Sequence, residues 1–335
     1  MNPRAITRIG TGDCARLLRG GHRVLLTTHT NPDGDAIGSS TALYHALRGE
    51  GIEARIILTD SPPENLAFLN DGSSIETYDP AGHDAWIASA DLLVGLDFND
   101  SARVRRMEPI FRDAAGRKVI IDHHQSPKRF ADVYCSIPEA SSTAEIVYDI
   151  LNGDDIALPS AVALGLYVGI MTDTGSFRFD RTTPRVHRIA ARLIEAGVDP
   201  TAVYRLIHDD YPLRRTRLLG MILAGIEHFC DGRVSLLTVT KDMFDATATT
   251  IEDVENIVNY GLAIRGVEAT ALLTATDGQV KISFRSRGRI TVNDIAGRFG
   301  GGGHRLAAGA TVEGRDWDEL KTAVAAALCA ALDDG

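Results

Sequence analysis

The chain has 335 residues, and 35 Lys and Arg against 45 Asp and Glu give it a formal net charge of −10. A chain of this length exceeds what one hydrophobic core normally supports, so we expect two domains. The net negative charge excludes a protein that binds nucleic acid by electrostatic attraction over its whole surface. An anionic substrate must therefore be bound by a local group of positive charges or metal ions.

The first half of the chain alternates short apolar runs with longer amphipathic stretches. This pattern is typical of βα units that build a parallel sheet with helices on its faces. A helix is predicted over 36–48, where Ile37, Leu43 and Leu47 recur at roughly helical spacing and glycines follow the end. The predicted strands are Val24–Thr28, Ala54–Leu58, Leu92–Leu96 and Val119–Ile121.

Three of these strands end in a polar cluster, at 27–35, 97–100 and 122–124. In open α/β sheets the ligand crevice lies at the carboxyl ends of the strands, so the three clusters are expected to converge on one cleft. A nearly continuous apolar stretch over 161–172, which its length favours as a helix, leads to a further polar position at Asp173.

The second half of the chain changes character. Residues 182–229 are Arg-rich and helix-like, and strands are predicted at 234–240, 269–275 and 280–284, with a hairpin turn at 276–279. We predict an α/β protein. Its parts are a parallel-sheet domain (1–190), a helical linker (191–229) and a smaller α/β domain (230–335).

The cysteines are far apart in the chain and form no CxxC pair, which indicates neither a zinc knuckle nor a disulfide scaffold. A reducing cytoplasm fits this usage. The N-terminal segment has no signal-peptide pattern, and no later segment approaches about 18 uninterrupted apolar residues. We therefore expect a cytoplasmic protein without a membrane span. The cysteines are Cys14, Cys135, Cys230 and Cys329.

The polar clusters contain residues that can share metal ions. A single Asp beside a glycine is often only a solvated turn residue, but a turn does not explain why Asp97, His123 and Asp173 also follow apolar elements. Four carboxylates and two imidazoles are too many for one tetrahedral zinc and contain too much nitrogen for a calcium cage. Mn²⁺ suits such mixed ligation, with Mg²⁺, Co²⁺ or Fe²⁺ as alternatives, and two ions about 3.5–4 Å apart would clamp a phosphoryl group and activate water. The candidate metal ligands are His29, Asp33, Asp35, Asp97, His123 and Asp173.

These segments resemble the motifs of a known family. The runs His29 to Ala36, Asp122-His123-His124 and Thr172 to Phe177, together with Asp97, are similar to the four-motif signature of the DHH phosphoesterases. Gly301-Gly302-Gly303-His304 is similar to the signature of the associated DHHA1 domain. Order, spacing and length most resemble the branch of bifunctional nanoRNases (oligoribonucleases) and pAp phosphatases.

The resemblance implies a division of roles within the site. Asp122 would orient an imidazole and His124 would contact the scissile phosphate; a helix N-cap and a packed core histidine are the alternatives for these two residues. Asp97 would bridge two ions. One ion would be held by His29, Asp33 and Asp97, and the other by Asp35, Asp97, His123 and Asp173.

Two further segments near these motifs have more than one interpretation. Residues 141–145 (Ser-Ser-Thr-Ala-Glu) precede an apolar run and are interpreted first as a helix cap, with a phosphate-facing helix N-terminus as the alternative. Arg178 and Arg181, just past Asp173, either approach an anionic substrate or are solvated surface arginines.

The second domain contains a locally basic segment. Between Gly278 and Ala310 there are six basic residues and a single acid, Asp294. Such a surface can hold the distal end of a short polyanion, with glycine amides close to phosphate, although a β-hairpin with a solvated charged face has the same pattern. The predicted substrate contacts, which the resemblance supplies, are Arg285, Ser286, Gly301, Gly302, Gly303 and His304.

The resemblance therefore predicts a Mn²⁺-dependent phosphodiesterase and phosphatase. It implies that the domain at 1–190 binds the metal ions and is catalytic, that the domain at 230–335 binds substrate, and that the active site lies in the interdomain cleft. Such an enzyme would use two divalent cations and activated hydroxide to hydrolyse short oligoribonucleotides to mononucleotides and pAp to AMP and phosphate. The alternatives are a phosphodiesterase for cyclic dinucleotides or linear pApA, an inorganic pyrophosphatase, and a nucleotide sensor without turnover. Short RNA and pAp are the expected partners, and a homodimer is one option for the assembly.

Overall fold

The computed structural model describes residues 6–70, 72 and 74–333. The chain divides into two compact units, Met1–Asp210 and Tyr211–Gly335, called here the first and second unit. Each unit has its own six-stranded sheet. The predicted α/β class is confirmed, with a parallel sheet in the first unit and a mixed sheet in the second.

A parallel sheet forms the centre of the first unit. Its strands are β1 (Arg23–Thr28), β2 (Glu53–Leu58), β3 (Ile75–Thr77), β4 (Leu92–Leu96), β5 (Arg117–Asp122) and β6 (Val133–Ser136). Their spatial order is β3-β2-β1-β4-β5-β6, and all neighbouring pairs are parallel. The chain builds the sheet outward from β1 to β3 and then returns to place β4 on the other side of β1. The topological switch point therefore lies between β1 and β4.

Helices cover both faces of this sheet, because alternate side chains of each strand point to opposite faces. Val24 and Leu26 belong to one apolar cluster and Leu25 to another, which also contains Ile87 and Phe111. The helices are α1 (Thr11–Arg19), α2 (Gly34–Gly49), α3 (Pro80–Ser89), α4 (Glu108–Asp113), α5 (Thr143–Ile150), α6 (Ser160–Asp173), α7 (Pro184–Glu195) and α8 (Pro200–Tyr204), with 3₁₀ segments at Glu64–Leu69 and Ser101–Met107 and a π segment at Arg205–Asp209.

Helices α2 and α6 approach each other through glycines. A Cβ at Gly38 would collide with the carbonyl oxygen of Gly165, and a Cβ at Gly165 would lie 2.6 Å from the carbonyl oxygen of Gly38. A Cβ at Gly169 would lie 2.8 Å from a carboxylate oxygen of Asp35. This close packing fixes Asp35, in the first turn of α2, relative to Asp173, the last residue of α6.

The second unit contains a mixed sheet. Its strands are β7 (Glu227–Phe229), β8 (Val234–Val239), β9 (Ala269–Thr276), β10 (Gln279–Ser286), β11 (Gly302–Gly303) and β12 (Ala307–Glu313). The order is β11-β12-β10-β9-β8-β7, in which β8 and β9 are parallel and the other pairs antiparallel. Leu236 and Leu237, adjacent on β8, belong to two different apolar clusters, so both faces of this sheet are also covered. The helices are α9 (Leu213–Ala224), α10 (Lys241–Thr247), α11 (Val258–Leu262), α12 (Val292–Arg298) and α13 (Trp317–Asp333), with a 3₁₀ segment at Ile251–Val254.

The strands predicted in both halves of the chain are present, as are the helix after β1 and the one at 161–172. The turn at 276–279 joins β9 to β10 as predicted. Strands β3, β6, β7, β11 and β12 were not predicted. The first four are only two to four residues long and too short to show an alternating pattern. Strand β12 has seven residues, but it begins with Ala-Ala-Gly-Ala, and alanine and glycine give no strand signal.

The expectation of no disulfide was wrong for one pair. Cys230 and Cys329 form a disulfide with a Cα–Cα distance of 5.9 Å, 99 residues apart in the sequence. Sequence spacing gave no signal for it because the bridge joins the end of β7 to α13, which meet only in the folded second unit. Cys14 and Cys135 are buried free thiols. Among the described helices, none has both the length and the apolar character needed to cross a bilayer.

Candidate metal centre

Polar side chains from β1 and β4 meet at the switch point of the first sheet. His29 follows β1 and Asp97 follows β4, and these strands are parallel neighbours. His29 Nε2 lies 3.5 Å from Asp97 Oδ2, and both residues are buried. Asp97 has a φ of 65°, a left-handed conformation that a non-glycine residue adopts only when its surroundings enforce it. Its backbone N–H donates to the carbonyl oxygen of Ile121 at 3.0 Å, which holds this conformation in place.

The turn after β1 supplies Asp33. This residue caps α2, and its carboxylate accepts the backbone N–H groups of Asp35 and Ala36, each at 3.1 Å. Ligand atoms of His29, Asp33 and Asp97 lie within 4.8 Å of one another. One divalent cation could be shared by these three side chains.

A second group forms around His123, which follows β5. Its Nε2 lies 3.6 Å from Asp97 Oδ1, 3.5 Å from Asp173 Oδ2 and 4.0 Å from Asp35 Oδ2. Ligand atoms of Asp35, Asp97 and His123 lie within 4.8 Å of one another, so Asp97 belongs to both groups. The structure thus brings together all six predicted ligands, called here the switch-point cluster: His29, Asp33, Asp35, Asp97, His123 and Asp173.

The N-terminus of α5 is directed at this cluster. Asp35 accepts the backbone N–H groups of Thr143 at 2.6 Å and Ala144 at 2.9 Å, and the Thr143 hydroxyl donates to Asp97 Oδ1 at 3.0 Å. Ser142 caps the helix through the N–H of Glu145 at 3.1 Å, as the sequence indicated. Two of the first amides of α5 therefore bind a carboxylate of the protein itself. The cap signature did not predict this role of Thr143.

Asp122 and His124 form a pair beside the cluster. Asp122 is the last residue of β5 and does not cap a helix, and its Oδ1 lies 2.7 Å from His124 Nδ1. Burial would lower the pKa of His124, but the hydrogen bond to Asp122 and the nearby carboxylates raise it to about 9. Asp122 is fully buried, and its Oδ2 has no hydrogen-bond partner within the described part of the chain.

The carboxylates of the cluster repel one another. Burial and the charge of Asp97 raise the pKa of both Asp35 and Asp173. Burial also opposes ionisation of Asp97, but the hydrogen bond with His29 and the charges of the neighbouring imidazoles lower its pKa. Burial lowers the pKa of His123, which favours the neutral imidazole that a metal requires. Four of the six side chains are buried, Asp173 is partly buried and Asp33 is exposed. Such a set of oxygen and nitrogen donors with excess negative charge fits divalent cations.

Arg181 supports His123 from the segment after α6. Its Nη1 donates to the carbonyl oxygen of Ala140 at 2.9 Å and lies 3.4 Å from His123 Nδ1. The guanidinium of Arg178 lies over the ring of Phe179, 5.5 Å from the ring centroid. Of the two arginines noted in the sequence, Arg181 thus contacts the cluster through His123.

The predicted substrate contacts lie in the second unit, at one end of its sheet. Arg285 and Ser286 end β10, which pairs with β12, and Gly302 and Gly303 pair with the opposite edge of β12. Arg285 Nη1 donates to the carbonyl oxygen of Phe284 at 2.9 Å, and burial lowers the pKa of its guanidinium. A Cβ at Gly301 would collide with the carbonyl oxygen of Gly309, so this position requires glycine. His304, which follows Gly303, donates its backbone N–H to the carbonyl oxygen of Ala307 at 2.7 Å.

A parallel α/β sheet with a cluster of carboxylates and imidazoles at its switch point, followed by a second α/β unit, defines a two-domain phosphoesterase with a candidate metal centre. Residues 23–170 match the DHH family, N-terminal domain, and residues 240–330 match the DHHA1 domain. The chain belongs to the DHH/DHHA1 phosphoesterase family, as its motifs predicted.

Individual relatives agree with this assignment. The chain is 34% identical over 296 residues to the bifunctional oligoribonuclease and PAP phosphatase NrnA of Thermus thermophilus, which covers 88% of this chain and 86% of the relative. It is 29% identical over 302 residues to the protein of the same name from Bacillus subtilis, with 88% and 90% covered. The crystal structure of an exopolyphosphatase-related protein from Bacteroides fragilis superimposes with a TM-score of 0.88 at 30% identity, covering 97% of this chain and 95% of that one.

Proposed function

We propose that the protein is a Mn²⁺-dependent phosphoesterase that hydrolyses short oligoribonucleotides to mononucleotides and pAp to AMP and phosphate. The observation that carries this proposal is the pair of ligand groups that share Asp97. The 34% identity to a bifunctional oligoribonuclease and PAP phosphatase supports the choice of substrates.

The six side chains of the switch-point cluster divide between two divalent cations. Two ions held here would polarise the phosphoryl group of the substrate and activate a water molecule. Mn²⁺ suits mixed carboxylate and imidazole ligation, with Mg²⁺ and Co²⁺ as alternatives. One ion is assigned to His29, Asp33 and Asp97, and the other to Asp35, Asp97, His123 and Asp173.

His124 contacts the scissile phosphate in this proposal. In the metal-free protein its pKa is raised to about 9, partly by the hydrogen bond to Asp122. A ring N–H of His124 can donate a hydrogen bond to a phosphate oxygen. Asp122 acts through His124: its Oδ1, 2.7 Å from Nδ1, fixes the orientation of the ring.

The second unit holds the nucleotide. Arg285 is half-buried and has no carboxylate partner among the described residues. Its guanidinium can therefore bind a phosphate group or the edge of a base. The glycines at 301–303 allow close approach of backbone amides, and Ser286 and His304 complete the assigned contacts. We thus assign hydrolysis of the ester to the domain at 1–190 and substrate binding to the domain at 230–335, with residues 191–229 as the linker between them.

A hydrolysis panel with Mn²⁺ tests the proposal. The substrates are pAp, a diribonucleotide, linear pApA, cyclic di-AMP and pyrophosphate, compared by kcat/KM. We expect the diribonucleotide and pAp to rank highest. A preference for cyclic di-AMP or pApA would support the dinucleotide alternative, a preference for pyrophosphate would contradict the substrate class, and saturable binding without turnover would identify a sensor.

Asp97→Ala tests the metal assignment. Because Asp97 belongs to both ligand groups, we expect turnover to be abolished and Mn²⁺ binding to be lost, with little loss of fold. Asp245→Ala is the matched control, since Asp245 is exposed on α10 and lies outside the cluster. Full Mn²⁺-dependent activity of the Asp97 variant would contradict a two-metal site.

A further inference from the structure

A cavity of about 470 Å³ opens beside the switch-point cluster in the first unit. One part of its lining is formed by the candidate ligands His29 and Asp33, and another by Arg103 and Arg105 in the 3₁₀ segment after β4. Cavities of this size accommodate small-molecule ligands. No motif in the sequence distinguishes these two arginines from other surface arginines.

The side chains of the two arginines in the cavity are not engaged in contacts that stabilise the fold. Within the described ranges, neither Arg103 nor Arg105 has a side-chain hydrogen bond, an ion pair or an aromatic partner, and both are exposed. Arg106 differs: its Nη2 donates to the carbonyl oxygen of Thr59 at 2.6 Å, and its guanidinium lies over the ring of Tyr78. The nearby acid, Asp100, is already paired with Lys128. Two positive charges therefore remain available to a ligand in the cavity.

Two residues that line the cavity have backbone conformations that cost free energy. Arg105 has φ 40° and ψ −113° within an otherwise 3₁₀ segment, and Asn31, also in the cavity lining, has φ 51°. The N–H of Thr30 donates to the carbonyl oxygen of Arg103 at 2.9 Å, which ties the turn after β1 to the arginine segment. Backbone conformations of this kind concentrate at ligand sites.

We propose that Arg103 and Arg105 form an anion subsite that binds the non-scissile phosphate of a substrate whose scissile phosphate lies at the switch-point cluster. The inference rests on the proposed function and names the substrate class more closely: nucleotides with two phosphate groups, such as a nucleoside 3′,5′-bisphosphate. In a protein with a net charge of −10, a second phosphate next to several carboxylates requires local positive charge, and guanidinium groups match phosphate geometry.

The test compares substrates that differ only in the second phosphate. kcat/KM is measured for pAp and for adenosine 3′-monophosphate with wild type, R103A, R105A and the double variant. We expect the double variant to lose at least about 10-fold for pAp, mainly through KM, and to stay within about 2-fold of wild type for the monophosphate. The matched control is R188A, which removes the same charge from an exposed position on α7 outside the cavity and is expected to behave as wild type. R103K, which keeps the charge, is expected to retain more activity on pAp than R103A.

Two results would overturn the subsite: equal losses on both substrates, or no loss on either. Thermal unfolding of each variant excludes a general loss of fold, and R103A alone decides the test if changes at Arg105 prevent folding. If wild type hydrolyses neither compound, the proposed function fails, and the subsite is tested separately by calorimetric titration of inorganic phosphate onto the metal-free protein. Binding that is lost in the double variant but kept in R188A supports the subsite, and phosphate binding that is absent or unchanged contradicts it.

Discussion

The Thr143 hydroxyl donates a hydrogen bond of 3.0 Å to Asp97 Oδ1, while the N–H of the same residue donates to Asp35 Oδ2 at 2.6 Å. One residue at the start of α5 thus positions two carboxylates of the switch-point cluster. Groups that orient metal ligands typically change metal affinity or activity by about 10–100-fold when they are removed.

We expect Thr143→Val to weaken Mn²⁺ binding and lower kcat/KM by about 10-fold or more, because Asp97 loses its donor while the backbone contact to Asp35 stays. Isothermal titration of Mn²⁺ measures the affinity independently of activity. Thr143→Ser, which keeps the hydroxyl, is the control and should bind Mn²⁺ nearly as wild type. Equal affinity of the Val and Ser variants would show that the hydroxyl does not position Asp97.

The second prediction concerns repulsion between the carboxylates. Burial and the charges of Asp97 and Asp33 raise the pKa of Asp173, so its ionised form destabilises the metal-free fold increasingly as the pH rises above the ordinary value of 3.8. We expect Asp173→Asn to raise the Tm of the metal-free protein near neutral pH by about 2–4 °C, as for a gain of about 1 kcal/mol in the free energy of unfolding.

In saturating Mn²⁺ the order of the Tm values should be reversed, with wild type above Asp173→Asn. Asp173→Asn removes a proposed ligand, so the rise in Tm on adding Mn²⁺ should be smaller than in wild type. Differential scanning calorimetry with EDTA and with Mn²⁺ measures both effects, and Asp245→Asn serves as a control outside the cluster. A lower metal-free Tm in the variant would mean that Asp173 stabilises the fold by a contact stronger than the repulsion.

Much of the first unit could be predicted from the sequence because two local signals agree there. The apolar runs of β1, β4 and β5 mark buried parallel strands, and the polar residue after each run marks the carboxyl edge of the sheet. His29 and Asp97 were therefore expected to lie in one cleft. That β1 and β4 are neighbours at the switch point is known only from the structure.

Other features depend on contacts that no local pattern encodes. Thr143 is part of a capping signature whether or not a carboxylate faces the helix, and Asp35 is 108 residues away from it in the chain. Arg103 and Arg105 look like ordinary surface arginines until the neighbouring partners are known. The pairing of Cys230 with Cys329 likewise depends on how α13 packs on the second sheet.

The third prediction concerns the ionisation of His124. The pKa of this imidazole in the metal-free protein should be about 9, raised from 6.5 against the effect of burial by Asp122 and the nearby carboxylates. Its stabilising contribution is therefore fully present below pH 6.5 and is lost as the pH rises through 9. The whole rise corresponds to about 3 kcal/mol of stability below that window. Asp122→Asn should lower the pKa of His124 and remove the share of this stability that comes from Asp122, while the share from Asp97 and Asp173 remains.

NMR titration of the His124 ring in the presence of EDTA measures this pKa directly. Chemical denaturation at pH 6 and pH 10 measures the stability difference in wild type and variant. Asp242→Asn, a change on an exposed residue of α10, is the control and should leave both measurements unchanged. If Asp122→Asn left the pKa of His124 in place, the hydrogen bond to Asp122 would not be its cause.

The last prediction concerns the contact between α2 and α6. A Cβ at Gly38 would collide with the carbonyl oxygen of Gly165 and lie 2.8 Å from the backbone nitrogen of Gly169, so neither helix can yield by a side-chain rotation. We expect Gly38→Ala to lower the free energy of unfolding by about 1–3 kcal/mol. It should also weaken Mn²⁺ binding, because separating the helices moves Asp35 away from Asp173.

The matched control is Gly49→Ala at the other end of α2, where an added Cβ has no atom within 4 Å. There the substitution should be neutral or stabilising by up to about 1 kcal/mol, since alanine restricts the unfolded chain more than glycine does. Thermal unfolding and Mn²⁺ titration of both variants separate the contact from helix propensity. A stable Gly38→Ala protein with unchanged Mn²⁺ affinity would show that the cluster tolerates a wider spacing of the two helices.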